Sequence, residues 1–159
     1  MLESPSVKLG AIPENLSAAA GEELVVQLHA EGVQVYVCEV GPEGKKSWVL
    51  KKPEAILIDS GGQEAGRHFA GPTWQHRDGS QICGRVVART ESPAVDAIPW
   101  LLLTVTERSG SGVLGNVTTI QRLNTRGGKA PSAAEASATA GDELRVSYSA
   151  DYLFYAPKP

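Results

Sequence analysis

The chain has 159 residues, 42% of them hydrophobic and 21% charged, with a formal net charge of -3 from 15 basic and 18 acidic side chains. That length suits one domain that buries its own core without a metal or disulfide, and the even mix of charge leaves no basic stripe, so nucleic acid is excluded as the expected partner. No apolar run approaches the roughly 18 residues of a membrane span, and the opening MLESPSVKLGAIPENL lacks the basic and apolar regions of a secretion leader.

Residues 1–16 carry Pro5, Gly10 and Pro13 without periodicity and are expected to form an extended N-terminal arm, leaving 17–159 as a single β domain. In 23–30, Leu24, Val26, Leu28 and Ala30 alternate with Glu23, Val25, Gln27 and His29, the period of a strand with one row in the core. His29, in the more polar row, is expected at the surface. Glu31-Gly32 reads as a turn into a second strand, 33–40, with Val33, Val35 and Val37 on one face and Gln34, Tyr36 and Cys38 on the other. Short strands follow at 47–51 and 55–59, separated by Pro53, and Ser60-Gly61-Gly62-Gln63 closes a hairpin.

The returning strand, 64–70, sets Gly66, His68 and Ala70 on one side, and these small neighbours leave room around the His68 ring. Gly71-Pro72 breaks it. The next strand begins at Thr73 and turns at Asp78-Gly79, a dipeptide favoured in two-residue hairpin loops. Counting outward from such a loop sets Trp74 opposite Cys83 and His76 opposite Gln81. Trp74, His76, Cys83 and Arg85 then share a face that is either exposed or the lining of a cavity, the large Trp74 ring favouring the cavity, while Ile82, Gly84, Val86 and Ala88 pack the interior.

Residues 91–98 form a loop, and WLLLTVT at 100–106, led by Trp100, is a continuous apolar run of strand length, expected to be covered on both faces. The segment 108–112, RSGSG, is either a lid or an idle surface loop. In 117–125, Gln121 shares an apolar row with Val117, Thr119 and Leu123, opposite Thr118, Ile120 and Arg122; a buried amide there needs partners from the chain or from a ligand. Residues 126–136 read as turn and loop. Residues 17–30 match 137–150 at eight of fourteen positions, a turn-strand-turn unit seen twice. The last strand, 151–156, brings Tyr152, Phe154 and Tyr155 as aromatic material for a pocket, with Tyr36 and Trp74.

The expectation is an all-β fold, a flattened antiparallel β-barrel or β-sandwich of about ten short strands with little helix. No glycine-rich loop joins a strand to a helix, and no G-x-S-x-G is present, so nucleotide and esterase chemistry lack support. The spacing of His68, His76, Cys38 and Cys83 fits no known ligand set, so neither metal nor other cofactor is expected.

Five ordered blocks carry a resemblance: GVQVYVCEV at 32–40, GRHFAGPTWQHRDGS at 66–80, IPWLLLTV at 98–105, VTTIQRLNTRGGKAP at 117–131 and the terminal YLFYAP. Over about Leu16 to Pro157 the chain resembles a widespread family of small, mostly uncharacterised all-β proteins of bacteria and fungi, usually carried behind a secretion signal. The resemblance implies a secreted or periplasmic location. Family members often have a further cysteine after the G-G-x-A-P block; 132–138 holds none, so Cys38 lacks that implied partner here. Some fungal relatives are similar to hetero-Diels-Alderases, which implies a cofactor-free cycloaddition in which Trp74, Tyr36 and Tyr155 stack on a diene and His68 or Gln121 donates to a carbonyl.

Three functions follow. The first is an extracytoplasmic binder of a small apolar or aromatic molecule, with Trp74, Tyr36, Tyr155, His76, Arg85 and Trp100 around the ligand and His68 and Gln121 as donors. The second is a hetero-Diels-Alderase-like pericyclase joining two apolar reactants in the same place. The third is a non-catalytic surface-interaction module, with the aromatics packed solid or lying on a flat patch.

Overall fold

A computed structural model describes residues 12–132, 134 and 138–159. Eight antiparallel strands follow in chain order: β1 (Glu22–Val40), β2 (Lys46–Ile58), β3 (Glu64–Phe69), β4 (Thr73–His76), β5 (Gln81–Thr90), β6 (Trp100–Ser109), β7 (Thr119–Gly127) and β8 (Glu143–Pro157). Each pairs with the next and β8 returns to β1, so the sheet closes into one irregular ring with no free edge.

The all-β antiparallel barrel is as expected, but with eight strands rather than about ten, because three expected breaks are continuous strand. Glu31-Gly32 does not turn. A Cβ at Gly32 would fall 2.1 Å from the Glu54 carbonyl oxygen, so this glycine lets β2 press close across the middle of β1. Pro53 stays inside β2 opposite Gln34, beside a register shift at Val35/Tyr36 that accommodates a residue without an N–H. β8 fuses the second copy of the internal match with the aromatic strand that follows it.

Inside the ring, Leu28, Leu57, Trp74, Ile82, Ile120 and Phe154 belong to one buried cluster. A second cluster lies outside, where Leu16, Trp100, Leu123, Leu153 and Tyr155 pack together. Leu16 ends a single helical turn, Glu14–Leu16, and is fully buried. Asn15 fixes this turn to β5 by donating to the Arg89 carbonyl and accepting from the Thr90 hydroxyl. The N-terminal segment thus covers part of the outer wall, although residues 1–11 of the expected arm lie outside the described residues. Both rows of β6 are buried for this reason: Leu101 and Leu103 face in, while Trp100 and Leu102 face out beneath Leu16.

Hairpin loops alternate between the two ends of the ring, and the end holding the β4–β5 turn is plugged. The Asp78 carboxylate accepts the Ser80 amide at 2.9 Å, the Ser80 hydroxyl at 2.6 Å and the Val113 amide at 2.8 Å. Ser80 Oγ in turn accepts the Leu114 amide at 3.1 Å. Held this way, Leu114 and Val117 are fully buried in the inner cluster. The RSGSG stretch is exposed throughout. It ends β6 and leads into the plug. The Ser80 and Val113 hydrogen bonds also hold the Asp78 carboxyl well below the usual carboxylate range. Asp78→Ala should destabilise the protein by about 1–3 kcal/mol, the range for losing hydrogen bonds to a charged acceptor, measured by urea unfolding; an unchanged midpoint would mean the plug stands without it.

Candidate functional site

The β4–β5 hairpin decides which side chains meet inside the ring. Its loop has three residues, Arg77, Asp78 and Gly79, since the His76 amide donates to the Ser80 carbonyl at 2.9 Å. Asp78 favours this loop by capping Ser80, two residues on, and Gly79 supplies the left-handed φ of 97° that follows. Trp74 consequently pairs with Ile82 and Thr73 with Cys83, one residue off the two-residue register. A slip of one residue turns β5 over relative to β4. Trp74 shares the inner face with Ile82 and Gly84, whereas Cys83 and Arg85 belong to the outer face. This corrects the expected cluster: Arg85 is exposed and does not join Trp74. His76 keeps to the Trp74 row but sits at the turn, where its Nδ1 accepts the Asp78 amide at 3.1 Å.

Trp74 is fully buried. Its indole stacks on the His68 ring with centroids 4.5 Å apart and planes 19° apart. Tyr152 meets Trp74 edge-on at 5.5 Å, and Phe154 does so at 6.4 Å. Gly84 makes room for the indole, because a Cβ there would come within 3.3 Å of Trp74 Cζ3. His68 Nδ1 donates to the Thr73 carbonyl at 2.8 Å, which fixes Nε2 as the lone-pair nitrogen. Burial, with a smaller push from the Arg122 charge, drives the His68 pKa down to about 3, so the ring is neutral.

Beside this stack, at the end opposite the plug, lies a cavity of about 280 Å³ whose wall takes residues from all eight strands. Gln34, His68, Trp74, Leu101, Arg122 and Tyr152 form its inner wall, and Leu50, Lys51, Lys52, Pro53, Gly71 and Pro72 its rim. Gln34 Oε1 and Trp74 Nε1 are buried without a hydrogen-bond partner among the described residues. Arg122 enters from β7 and donates through Nε and Nη2 to the Pro99 carbonyl, at 3.1 and 2.9 Å.

The other expected ligand residues lie elsewhere. Gln121 and Tyr155 are on the outer wall: Gln121 Nε2 donates to the Leu16 carbonyl at 2.8 Å, and the Tyr155 hydroxyl donates to Gln121 Oε1 at 2.9 Å. Both ends of that amide are thus matched by the chain itself. Trp100 packs in the same outer cluster. Tyr36 follows Gln34 on one row of β1, but its hydroxyl donates to the Gly128 carbonyl and it does not line the cavity. Gln34 and Arg122 take the places that Gln121 and Arg85 were expected to fill, and from β8 it is Tyr152 rather than Tyr155 that faces inward. A signal for Arg122 was present in its alternation with Ile120, a residue of the inner row.

A larger recess of about 610 Å³ on the outer wall is lined by His29, Ser92, Trp100, Asn124 and Asp151, among others. His29 is not simply solvated. Its Nδ1 meets Asp151 Oδ1 at 2.9 Å and its Nε2 meets Glu31 Oε2 at 2.7 Å. Partial burial pulls the His29 pKa down, but these two carboxylates outweigh it and raise it above the ordinary 6.5. Both ring nitrogens are thus engaged by acids, and the same recess is bordered by Trp100, whose Nε1 is buried without a hydrogen-bond partner among the described residues.

Cys38 and Cys83 are free, and among the described residues no three His, Cys, Asp or Glu side chains gather as a metal-ligand set. No helix among those residues is long and apolar enough to cross a membrane. Residues 19–156 match a family described as protein of unknown function, DUF3455. No curated protein and no solved structure matches the chain.

Proposed function

The chain belongs to the DUF3455 family of proteins of unknown function, and from that premise we propose that it is a small-molecule-binding β domain taking one compact aromatic ligand in the cavity beside Trp74. The observation that carries this reading is the pair of unmatched polar atoms on the cavity residues, Gln34 Oε1 and Trp74 Nε1. Leaving a buried donor or acceptor without a partner costs about 1–3 kcal/mol. A ligand that offers a donor to Gln34 and an acceptor to Trp74 recovers that loss on binding. The lone pair on His68 Nε2 adds a neutral acceptor on the same wall.

A dry apolar cavity of about 150 Å³ is enough for benzene, and about 280 Å³ favours one ligand of one or two fused rings over two apolar reactants held together. An extracytoplasmic setting is part of the proposal, supported by the resemblance to families carried behind secretion signals. Titrating 2-naphthol into a Trp48→Phe, Trp100→Phe variant, in which Trp74 is the remaining indole, should quench fluorescence saturably, and Gln34→Leu should weaken the binding. Quenching that stays linear with concentration would sink the proposal.

A further inference from the structure

The inner wall of the cavity holds one cation that the aromatic reading does not use. Arg122 alternates with Ile120 on the inner row of β7, and its cross-strand neighbours are Leu101 on β6 and Tyr152 on β8, neither an acid. The other inner-wall residues, Gln34, His68 and Trp74, are also uncharged groups. The acids that neighbour the rim are engaged elsewhere: Glu143 with Lys51, and Glu54 with Lys52 and Arg145. Among the described residues no carboxylate pairs with Arg122 in a salt bridge.

A guanidinium presents five N–H donors in a planar fork. Two of those in Arg122 go to the single Pro99 carbonyl, which leaves three. Tethering Pro99 needs only one N–H, which a glutamine would supply; it does not call for a permanent charge set against an apolar cavity, where an unpaired ion is costly. A planar fork with free donors fits a carboxylate. On the inner wall Arg122 is the one charged side chain, and a single charge at that depth is matched by a monocarboxylate; the cations of the rim, Lys51 and Lys52, share Glu143 and Glu54 with Arg145.

We infer that the ligand is a small aromatic monocarboxylate, its acid group held by Arg122 and its ring lying against the Trp74–His68 stack. This rests on the cavity being the ligand site proposed above. It adds a charge and an orientation to that reading, with the carboxylate towards β7 and the ring towards β3 and β4.

Isothermal titration calorimetry of the whole chain with sodium 2-naphthoate and with 2-naphthamide separates the two claims, because the probes share a ring system and differ in charge. Wild type should bind the acid at least about tenfold more tightly than the amide, as a charge-assisted pair is worth in a low-dielectric site. Arg122→Gln, which keeps a donor for Pro99, should erase that preference and leave the amide's affinity nearly unchanged; Arg122→Lys should restore part of it. Equal affinity for both probes in wild type overturns the carboxylate inference while leaving the cavity as a neutral aromatic site. Absence of binding by either probe overturns both readings. The wild-type ratio decides the matter even where Arg122→Gln does not fold.

Discussion

Trp74→Ala should destabilise the protein by about 3–5 kcal/mol, the range for deleting a large aromatic side chain from a packed interior. The indole is fully buried and touches the rings of His68, Tyr152 and Phe154, so the substitution removes stacking and edge contacts together with apolar area. Relaxation will recover little of the loss. The void opens onto the existing cavity of about 280 Å³, and the wall behind it is a closed ring of strands that cannot collapse inward without breaking ladder hydrogen bonds. Trp74→Phe, which keeps a ring against His68, should lose less. Arg85→Ala, on the exposed outer face of β5, should stay within about 0.5 kcal/mol of wild type. Urea unfolding of the three variants checks the order. A Trp74→Ala loss no larger than that of Arg85→Ala would mean that the hairpin turns with two residues and that β5 presents its other face to the core.

The comparison of these two positions also shows what the sequence made legible. Alternation in β1 and β8 and the glycine and proline punctuation were enough for an antiparallel all-β fold. The hairpin register was not legible, because Asp78-Gly79 suits a two-residue loop and a three-residue loop alike. The loop formed is the one in which Asp78 caps Ser80 and also accepts the amide of Val113, 35 positions away, a contact that no local pattern reports. Gln121 misled for a different reason. The segment around Leu16 covers the outer wall and buries both rows of β6 and β7, so burial no longer reports which row faces the interior. Gln121 and Arg122 are then indistinguishable by period, and only the closure of the ring puts Arg122 inside. Gly32 read as a turn because a glycine before a strand usually is one; the need here is a close backbone approach from Glu54, which is again non-local.

The second large effect is on acid stability. His68 titrates at about 3 in the fold against an ordinary 6.5, first because it is buried and then because of the Arg122 charge. Between those values the unfolded chain binds a proton that the folded chain refuses, so stability rises with pH across the window and falls as pH drops below 6.5. One such proton changes the folding equilibrium by up to about tenfold per pH unit. The other shifted groups act elsewhere. His29 is raised, so its contribution is fully present below 6.5 and fades only as pH rises above that value. The lowered carboxyls Glu22, Glu54, Asp59, Asp78, Asp142 and Glu143 hold their contributions above the ordinary carboxylate range of 3.8 to 4.5 and lose them below it. The interval from about pH 5 to pH 6 is therefore governed by His68 among these groups. In urea unfolding across it, His68→Gln, which keeps a donor for the Thr73 carbonyl but cannot titrate, should show a flatter pH dependence than wild type. Equal slopes would place a protonated imidazole in the fold at pH 5, and a cation beside Trp74 would remove the neutral acceptor that His68 Nε2 adds to the cavity wall.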